Sequence, residues 1–318
     1  MKTHIQLTIK LVVLSFVVTF LSSCMEQKKE EHKEIASAEI LKVEEKTEPK
    51  KPLSKEFKSY WYAGEAEITS YKLEQARYGE LREGNAVLIY VTEPFLPEIQ
   101  VKADKASKTN IPVLKLNATK NFLTGIYPYS IMSSTFYPVY DNQHAIKTSL
   151  SMQEWCGHVY AQLNNREQFE ITSHSYFENE ADQNLNLDKV VLENEIWNKI
   201  RINPEDLPKG NIKLLPSLEF FRLKHVKIQA QEALANLEEV NGLTTYTIDY
   251  KNIERKLSIT FSSNFPYEIE GWTEEYISGF GPKAKLMKST ATKLKSLKTP
   301  YWRQNSIIDT KLRKDLDL

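Results

Sequence analysis

Alternation of apolar and polar side chains at every second position is the feature that most limits how this chain can fold. Three successive runs in its C-terminal half, 246–250, 257–261 and 265–269, follow this pattern with short polar turns between them. Earlier segments carry the same signal: Glu65–Leu73, Ala86–Thr92, Val113–Asn117, Ile146–Met152, Trp155–Leu163 and Gln168–Phe177. Such alternation is typical of antiparallel strands with one buried face. The sequence therefore predicts a mainly β protein, with a curved antiparallel sheet or a partly open β-barrel.

One segment departs from this pattern. Between Val191 and Ile200 the apolar residues recur at helical spacing, after the possible cap Asp188 and before Pro204. We expect one helix over residues 188–201, packed on the sheet. The stretch Val226–Val240 fits either a helix or a strand, and we favour a strand.

The N-terminus has the layout of a secretory signal. Lys2 and Lys10 precede an apolar run over Leu11–Leu21 that is too short to span a bilayer, and Ser22-Ser23-Cys24 follows it. The sequence around Cys24 resembles the lipobox of bacterial lipoproteins. That resemblance implies cleavage before Cys24 and acylation of its thiol by fatty acids such as palmitate. The protein is then expected in the cell envelope, bound to a membrane through an N-terminal lipid anchor.

The residues after Cys24 differ in composition from the rest of the chain. Up to about Glu56 they are mostly Glu and Lys with few aliphatics, which is typical of a disordered tether with a reach of roughly 30 Å. We therefore expect a signal peptide at 1–23, an acylated cysteine with tether at 24–56, and a β-rich domain at 57–318. Met25, rather than aspartate, follows the cysteine and favours the outer membrane.

Charge and cysteine count exclude some classes of protein. The chain has 42 basic and 42 acidic residues, which argues against nucleic-acid binding driven by phosphate contacts. It has two cysteines, so acylation of Cys24 leaves Cys156 without a disulfide partner. A lone cysteine usually packs as a small hydrophobe, and we expect Cys156 to be buried.

The segment from Glu154 to Phe177 carries the greatest density of chemically active side chains. If it forms a hairpin with a three-residue turn at 164–166, Leu163 pairs with Glu167 and one face is apolar, including Trp155. The other face then carries Cys156, His158, His174 and Glu170, with Cys156 close to His174.

These residue types leave three hypotheses open. Thiol, imidazole and carboxylate are ligands of zinc and other transition metals, so Cys156, His158, His174 and Glu170 are candidate metal ligands. Cys156 and a nearby histidine could instead form a nucleophilic pair. The third hypothesis is a polar sheet face with no site.

Aromatic residues cluster at 60–62, 127–129, 136–140 and 272–276. In a concave sheet they could stack on a glycan or line a lipid groove. The usual hydrolase, phosphate-loop, dinucleotide and zinc-protease motifs are missing, so no cofactor is expected and any enzymatic activity is left open.

Three segments, Phe265–Glu274, Tyr301–Ser306 and Trp155–His158, resemble an uncharacterised family of bacterial lipoproteins. Members of that family are sometimes labelled septum formation inhibitor Maf. The Maf pyrophosphatases carry a Ser-x-Arg-Arg motif, and this chain has no Arg-Arg pair. The half-barrel periplasmic lipoprotein carriers offer a fold-level analogy, which does not assign a function.

The sequence thus predicts a lipid-anchored envelope protein that binds a lipid, a glycan or a partner protein, or acts as a structural subunit. The alternative is a thiol- or metal-dependent envelope enzyme centred on Cys156, His158 and His174. No nucleic-acid partner is expected.

Overall fold

The computed structural model describes residues 52–105, 107–140 and 144–318. The predicted signal peptide, Cys24 and the tether up to residue 51 lie outside the described residues. The helices are α1 Lys55–Trp61, α2 Glu193–Ile202, α3 Leu218–Lys224 and α4 Lys311–Asp315. None of the helices in this described part of the chain is long and apolar enough to cross a membrane.

The strands are β1 Ala66–Arg77, β2 Glu80–Leu96, β3 Val101–Lys102, β4 Ile111–Thr124, β5 Tyr127–Pro138, β6 Lys147–Glu154, β7 Gly157–Asn165, β8 Phe169–Ser175, β9 Gln183–Leu187, β10 Val191–Leu192, β11 Gly210–Leu215, β12 Gln231–Val240, β13 Leu243–Tyr250, β14 Arg255–Ser262, β15 Ile269–Ser278 and β16 Lys285–Thr299. All belong to one sheet, in the order β10-β11-β12-β13-β14-β15-β16-β1-β2-β4-β5-β6-β7-β8-β9, with β3 paired to β2. Among the described strands, β10 and β11 form the one parallel pair. Within the described residues no ladder joins β9 to β10, so the sheet is not closed into a barrel. The predicted mainly β, antiparallel fold is confirmed.

The sheet curves around α2. Glu193 of this helix pairs with Arg255 of β14, while Lys199 donates a hydrogen bond to Tyr137 of β5. These two strands are six steps apart in the sheet order, which is about 29 Å in a flat sheet. A helix with its side chains is only about 10–12 Å across. Both strands can contact α2 only because the sheet wraps around it.

The polar side chains of α2 are buried and bonded to the elements around them. Arg201 forms a two-point ion pair with Glu67 of β1. Asn198 donates to the backbone oxygen of Leu114 at 2.7 Å, and Glu195 accepts from a backbone amide before β6 at 2.7 Å. Buried polar groups need such partners, and here the partners also fix the position of the helix in the sheet.

Several predicted boundaries were wrong. The helix begins at Glu193 rather than residue 188, because the residues before it join the sheet as β9 and β10. The expectation of one helix missed α1 and α3, which have seven residues each, and α4, which has five; all three are too short to show a helical period. Ser54 caps α1 by accepting from the amide of Phe57, so Lys55 and Glu56, which were predicted to belong to the tether, lie in a helix.

Two further segments were predicted to be strands, and the structure agrees with each only in part. Most of 265–269 is a turn, and the strand that follows runs from Ile269 to Ser278. The preference for a strand after Val226 is confirmed from Gln231 onward.

Removing one partner of the Arg201–Glu67 pair should destabilise the fold strongly. We expect Glu67→Gln to lower the free energy of unfolding by about 3–5 kcal/mol, because Arg201 is left as a buried charge without its counter-ion. Urea unfolding measures this loss. Glu83→Gln, an exposed change on the neighbouring strand, should cost less than about 0.5 kcal/mol. Equal losses for the two variants would contradict the assigned role of the pair.

The same pair makes stability depend on acid. Burial raises the pKa of Glu67, but the charge and hydrogen bonds of Arg201 outweigh burial, so the pKa lies below its ordinary value. A carboxyl with a lowered folded-state pKa stabilises the protein above its unfolded value, about 4.3, and the stabilisation is lost as the pH falls through the folded-state pKa. The free energy of unfolding of the natural chain should therefore decline below about pH 4.3 more steeply than that of Glu67→Gln. If the free energies of unfolding of the two chains fell in parallel as the pH was lowered, this expectation would be wrong.

Candidate functional site

The hairpin of β7 and β8 has the predicted face but not the predicted register. Leu163 pairs with Ile171, not with Glu167, because the three-residue turn lies at 166–168 instead of 164–166. Asn164 and Asn165 stay in the strand, where Asn164 donates to the side chain of Gln100 at 2.6 Å. Both registers bury the same side chains, so the apolar pattern cannot distinguish them.

This shift separates the predicted site residues. His174 lies opposite Tyr160 and is 3.2 Å from Asp182, whereas Cys156 precedes the first paired residue of β7. Glu170 pairs with Arg166 at 3.3 Å. In the described part of the chain, no group of three or more His, Cys, Asp or Glu side chains is placed to hold a metal ion. The prediction that Cys156 and His174 are neighbours was wrong.

Cys156 and Trp155 form the turn between β6 and β7, and both are exposed. Their predicted burial was wrong because the alternation of a strand does not extend into a turn. A hydrogen bond with Glu154, helped by slight burial, raises the pKa of the Cys156 thiol. A raised pKa disfavours the thiolate that a nucleophile or a metal ligand requires.

The exposed thiol gives a direct test in a chain carrying Cys24→Ala. Cys156 should react completely with a thiol reagent in the folded state, because it is accessible. The midpoint of its pH–rate profile should lie above that of the same chain in urea, because Glu154 raises the pKa only when folded. A folded-state midpoint below the unfolded one would reveal an activated thiol and support the enzyme hypothesis.

Charged side chains meet inside the fold at a cavity of about 60 Å³ between α2, α3 and the sheet. The charged and aromatic residues of its wall are Lys120, Trp197, Glu193, Glu219, Phe220, Arg255, Trp272, Glu274 and Tyr276. The charges pair with one another: Lys120 is 2.7 Å from Glu219, and Arg255 is 2.7 Å from Glu274. A cavity that admits benzene measures about 150 Å³, so this internal cavity is too small for most organic ligands. It is a polar part of the core.

A larger cavity of about 380 Å³ lies at one end of the curved sheet, next to Pro52 and Leu53, the first residues that the structure describes. This end groove is lined by Pro52, Leu53, Ser54, Glu56, Phe57, Tyr137, Val139, Tyr140, Lys199, Ile202, Asn203, Asp206, Phe265 and Tyr267. Its volume falls within the range of about 300–1,000 Å³ that is common for ligand sites. Most of its wall is apolar or aromatic, and its polar groups come from residues 52–57 and from the C-terminal end of α2 with the residues after it.

Four separate parts of the chain build the end groove. Residues 52–57 and the Phe265–Tyr267 turn face the C-terminal end of α2 and the residues that follow β5. The polar groups of the wall are held by internal bonds: Lys199 donates to the hydroxyl of Tyr137 at 2.9 Å. Burial and a hydrogen bond with Tyr140, one of the groove residues, raise the pKa of Tyr62, which itself lines a different depression.

A third depression, of about 420 Å³, lies beside β2 and β3. Much of its wall comes from the polar loop that contains Asp104, Lys105 and Asn110. Because fewer apolar side chains converge there, the end groove is the better candidate for a ligand site.

The aromatic clusters in the sequence lead to different places. Tyr137 and Tyr140 line the end groove, and Trp272 and Tyr276 line the internal cavity.

The interior charges were not predicted, although the sequence carries a signal for them. Lys120, for example, occupies the inward position of β4, in phase with its buried leucines.

The chain matches no known family model, no curated protein sequence and no solved structure. The resemblance to envelope lipoproteins therefore stays a prediction.

Proposed function

We propose that this protein is a lipid-anchored binding protein of the cell envelope, which holds the apolar part of an amphiphilic ligand in the end groove. The observation that carries the proposal is the end groove itself, with its volume of about 380 Å³ and its apolar and aromatic wall. Aromatic and aliphatic side chains that remain partly exposed around a cavity gain free energy when an apolar ligand covers them.

The position of the groove supports a lipid as the ligand class. Pro52 and Leu53 form part of its wall, and these residues lie near the end of the predicted tether, 24–56, that starts at Cys24. An anchor at Cys24, in the outer membrane as Met25 favours, would keep the groove near a bilayer that supplies amphiphiles at high local concentration. A glycan or a partner protein would have no such link to this end of the domain.

Binding can be tested with a fluorescent polyene fatty acid as the probe, in solution without vesicles. Leu53→Glu places a carboxylate in the apolar wall and should weaken binding at least tenfold, because the acyl chain would have to cover a charge. The matched control is Leu243→Glu, a half-exposed leucine outside the groove, which should bind like the natural chain. Equal affinity of the two variants would refute the assignment of the groove.

Native mass spectrometry of the chain, purified from its own envelope without chelator, separates the competing functions. An added mass of lipid size, beyond the covalent acyl groups of Cys24 and lost on denaturation, supports the proposal. An added mass that vanishes with chelator favours the metal-dependent enzyme. The mass of the acylated polypeptide alone, with other envelope proteins bound, favours a structural subunit.

A further inference from the structure

The C-terminal segment, residues 300–318, is held against the outer face of the sheet. It contains short turns at Tyr301–Arg303 and Ile307–Thr310, followed by α4. Leu316 is only 6% exposed and packs with Ala66 and Ile68 of β1. This contact of the last turn holds the segment against the sheet.

Although it is held in place, the segment presents large apolar side chains to solvent. Trp302 is 45% exposed, Ile307 is 91% exposed and Ile308 is 74% exposed. Two adjacent isoleucines that stay exposed do not contribute the stabilisation that burial of their side chains would provide. Exposed apolar groups placed together mark an interaction surface more often than scattered ones do.

Basic side chains lie close to these apolar groups in the sequence. Arg303, Lys311, Arg313 and Lys314 are all exposed in the same segment. The acidic residues of the segment are the exposed Asp315 and Asp317 and the half-buried Asp309, which accepts the amide of Ser306. Four cations against three carboxylates leave the segment with a small excess of positive charge.

The segment begins at the same end of the domain as the described chain. Thr299, just before it, pairs with Ala66 at the start of β1. Lys298 donates to the backbone oxygen of Tyr60 in α1 at 2.7 Å. The chain between Cys24 and Pro52 spans at most about 90 Å when extended. A membrane that holds an acylated Cys24 is therefore within reach of the C-terminal segment.

From this combination we propose that the C-terminal segment docks on an anionic lipid bilayer. Trp302, Ile307 and Ile308 enter the interfacial layer, while the lysines and arginines of the segment contact lipid phosphates. Tryptophan favours that layer because it is both apolar and a hydrogen-bond donor. Each basic residue near an anionic surface contributes a further attraction. The reach of the membrane rests on the lipid anchor of the proposed function, whereas the exposed side chains of the segment do not.

The test places one fluorescent label at a time on the full chain. Cys24→Ala and Cys156→Ser remove both natural cysteines, and Ile308→Cys carries a nitrobenzoxadiazole label. Vesicles contain phosphatidylglycerol and phosphatidylethanolamine, with spin-labelled lipid as the quencher. The control is Ile126→Cys, an 81% exposed isoleucine in the turn at the opposite end of the strands.

We expect vesicles to shift the emission of the label at 308 to shorter wavelength and the quencher to reduce its intensity, with no change at 126. The N-terminal residues are identical in both chains, so their own affinity for lipid gives the two chains the same bound fraction. A label at 308 that stays in water, or equal quenching at both positions, would overturn the proposal. Fatty-acid binding is measured without vesicles, so this result and the groove assignment fail independently.

A charge variant tests the second half of the proposal. Lys311→Gln with Lys314→Gln should raise the lipid concentration for half of the shift at 308 about tenfold, because each basic residue attracts the anionic surface. The control pair, Lys283→Gln with Lys285→Gln, removes two exposed charges at the opposite end. An equal effect of both pairs would show attraction by net charge and refute contact through this segment.

Discussion

The fold depends on ion pairs that join α2 to two strands, β14 and β1, which lie three steps apart in one sheet. Glu193 pairs with Arg255 of β14 near the start of the helix, and Arg201 pairs with Glu67 of β1 near its end. Removing such charges from water costs several kcal/mol for each ion, which the pairing offsets only when the geometry is good. An apolar helix could rotate or slide inside the curved sheet, whereas these pairs leave it one position. Aromatic rings complete the arrangement, since the Arg201 guanidinium lies 4.9 Å from the ring centre of Trp61.

The fold class could be predicted from the sequence because side-chain alternation reports burial directly. In a strand with one buried face, apolar side chains recur at every second residue. This pattern can be recognised without knowing which strands are its neighbours. The central helix was recognised for the same reason. The interior charges were missed because reasoning from apolar residues treats Lys120 and Arg255 as surface groups, although both follow the inward phase of their strands. A charge in phase with buried residues should be read as one half of an interior pair.

The candidate site could not be predicted because it has no local pattern. The end groove joins residues 52–57, 137–140, 199–206 and 265–267, which meet only after the sheet has wrapped around α2. The predicted site on the β7–β8 hairpin failed for a related reason. Its face followed from the alternation, but its register depended on contacts of Asn164 with Gln100, far away in the sequence. When a site is built from segments that are distant in the sequence, only the residue types of those segments can indicate it. Here that indication is the clustered tyrosines.

The lengths of the elements explain why cavities occur where they do. A ten-residue helix is about 15 Å long, whereas a twelve-residue strand such as β1 is about 40 Å long. The helix α2 is therefore too short to fill the space inside the curved sheet from one end to the other. Other elements must occupy the space beyond its two ends. On its N-terminal side α3 packs inward and leaves only the internal cavity. On its C-terminal side the short helix α1 and the Phe265–Tyr267 turn cover the space incompletely, which leaves the end groove. The largest apolar wall of the interior thus opens at the end of the domain that carries the predicted link to a membrane.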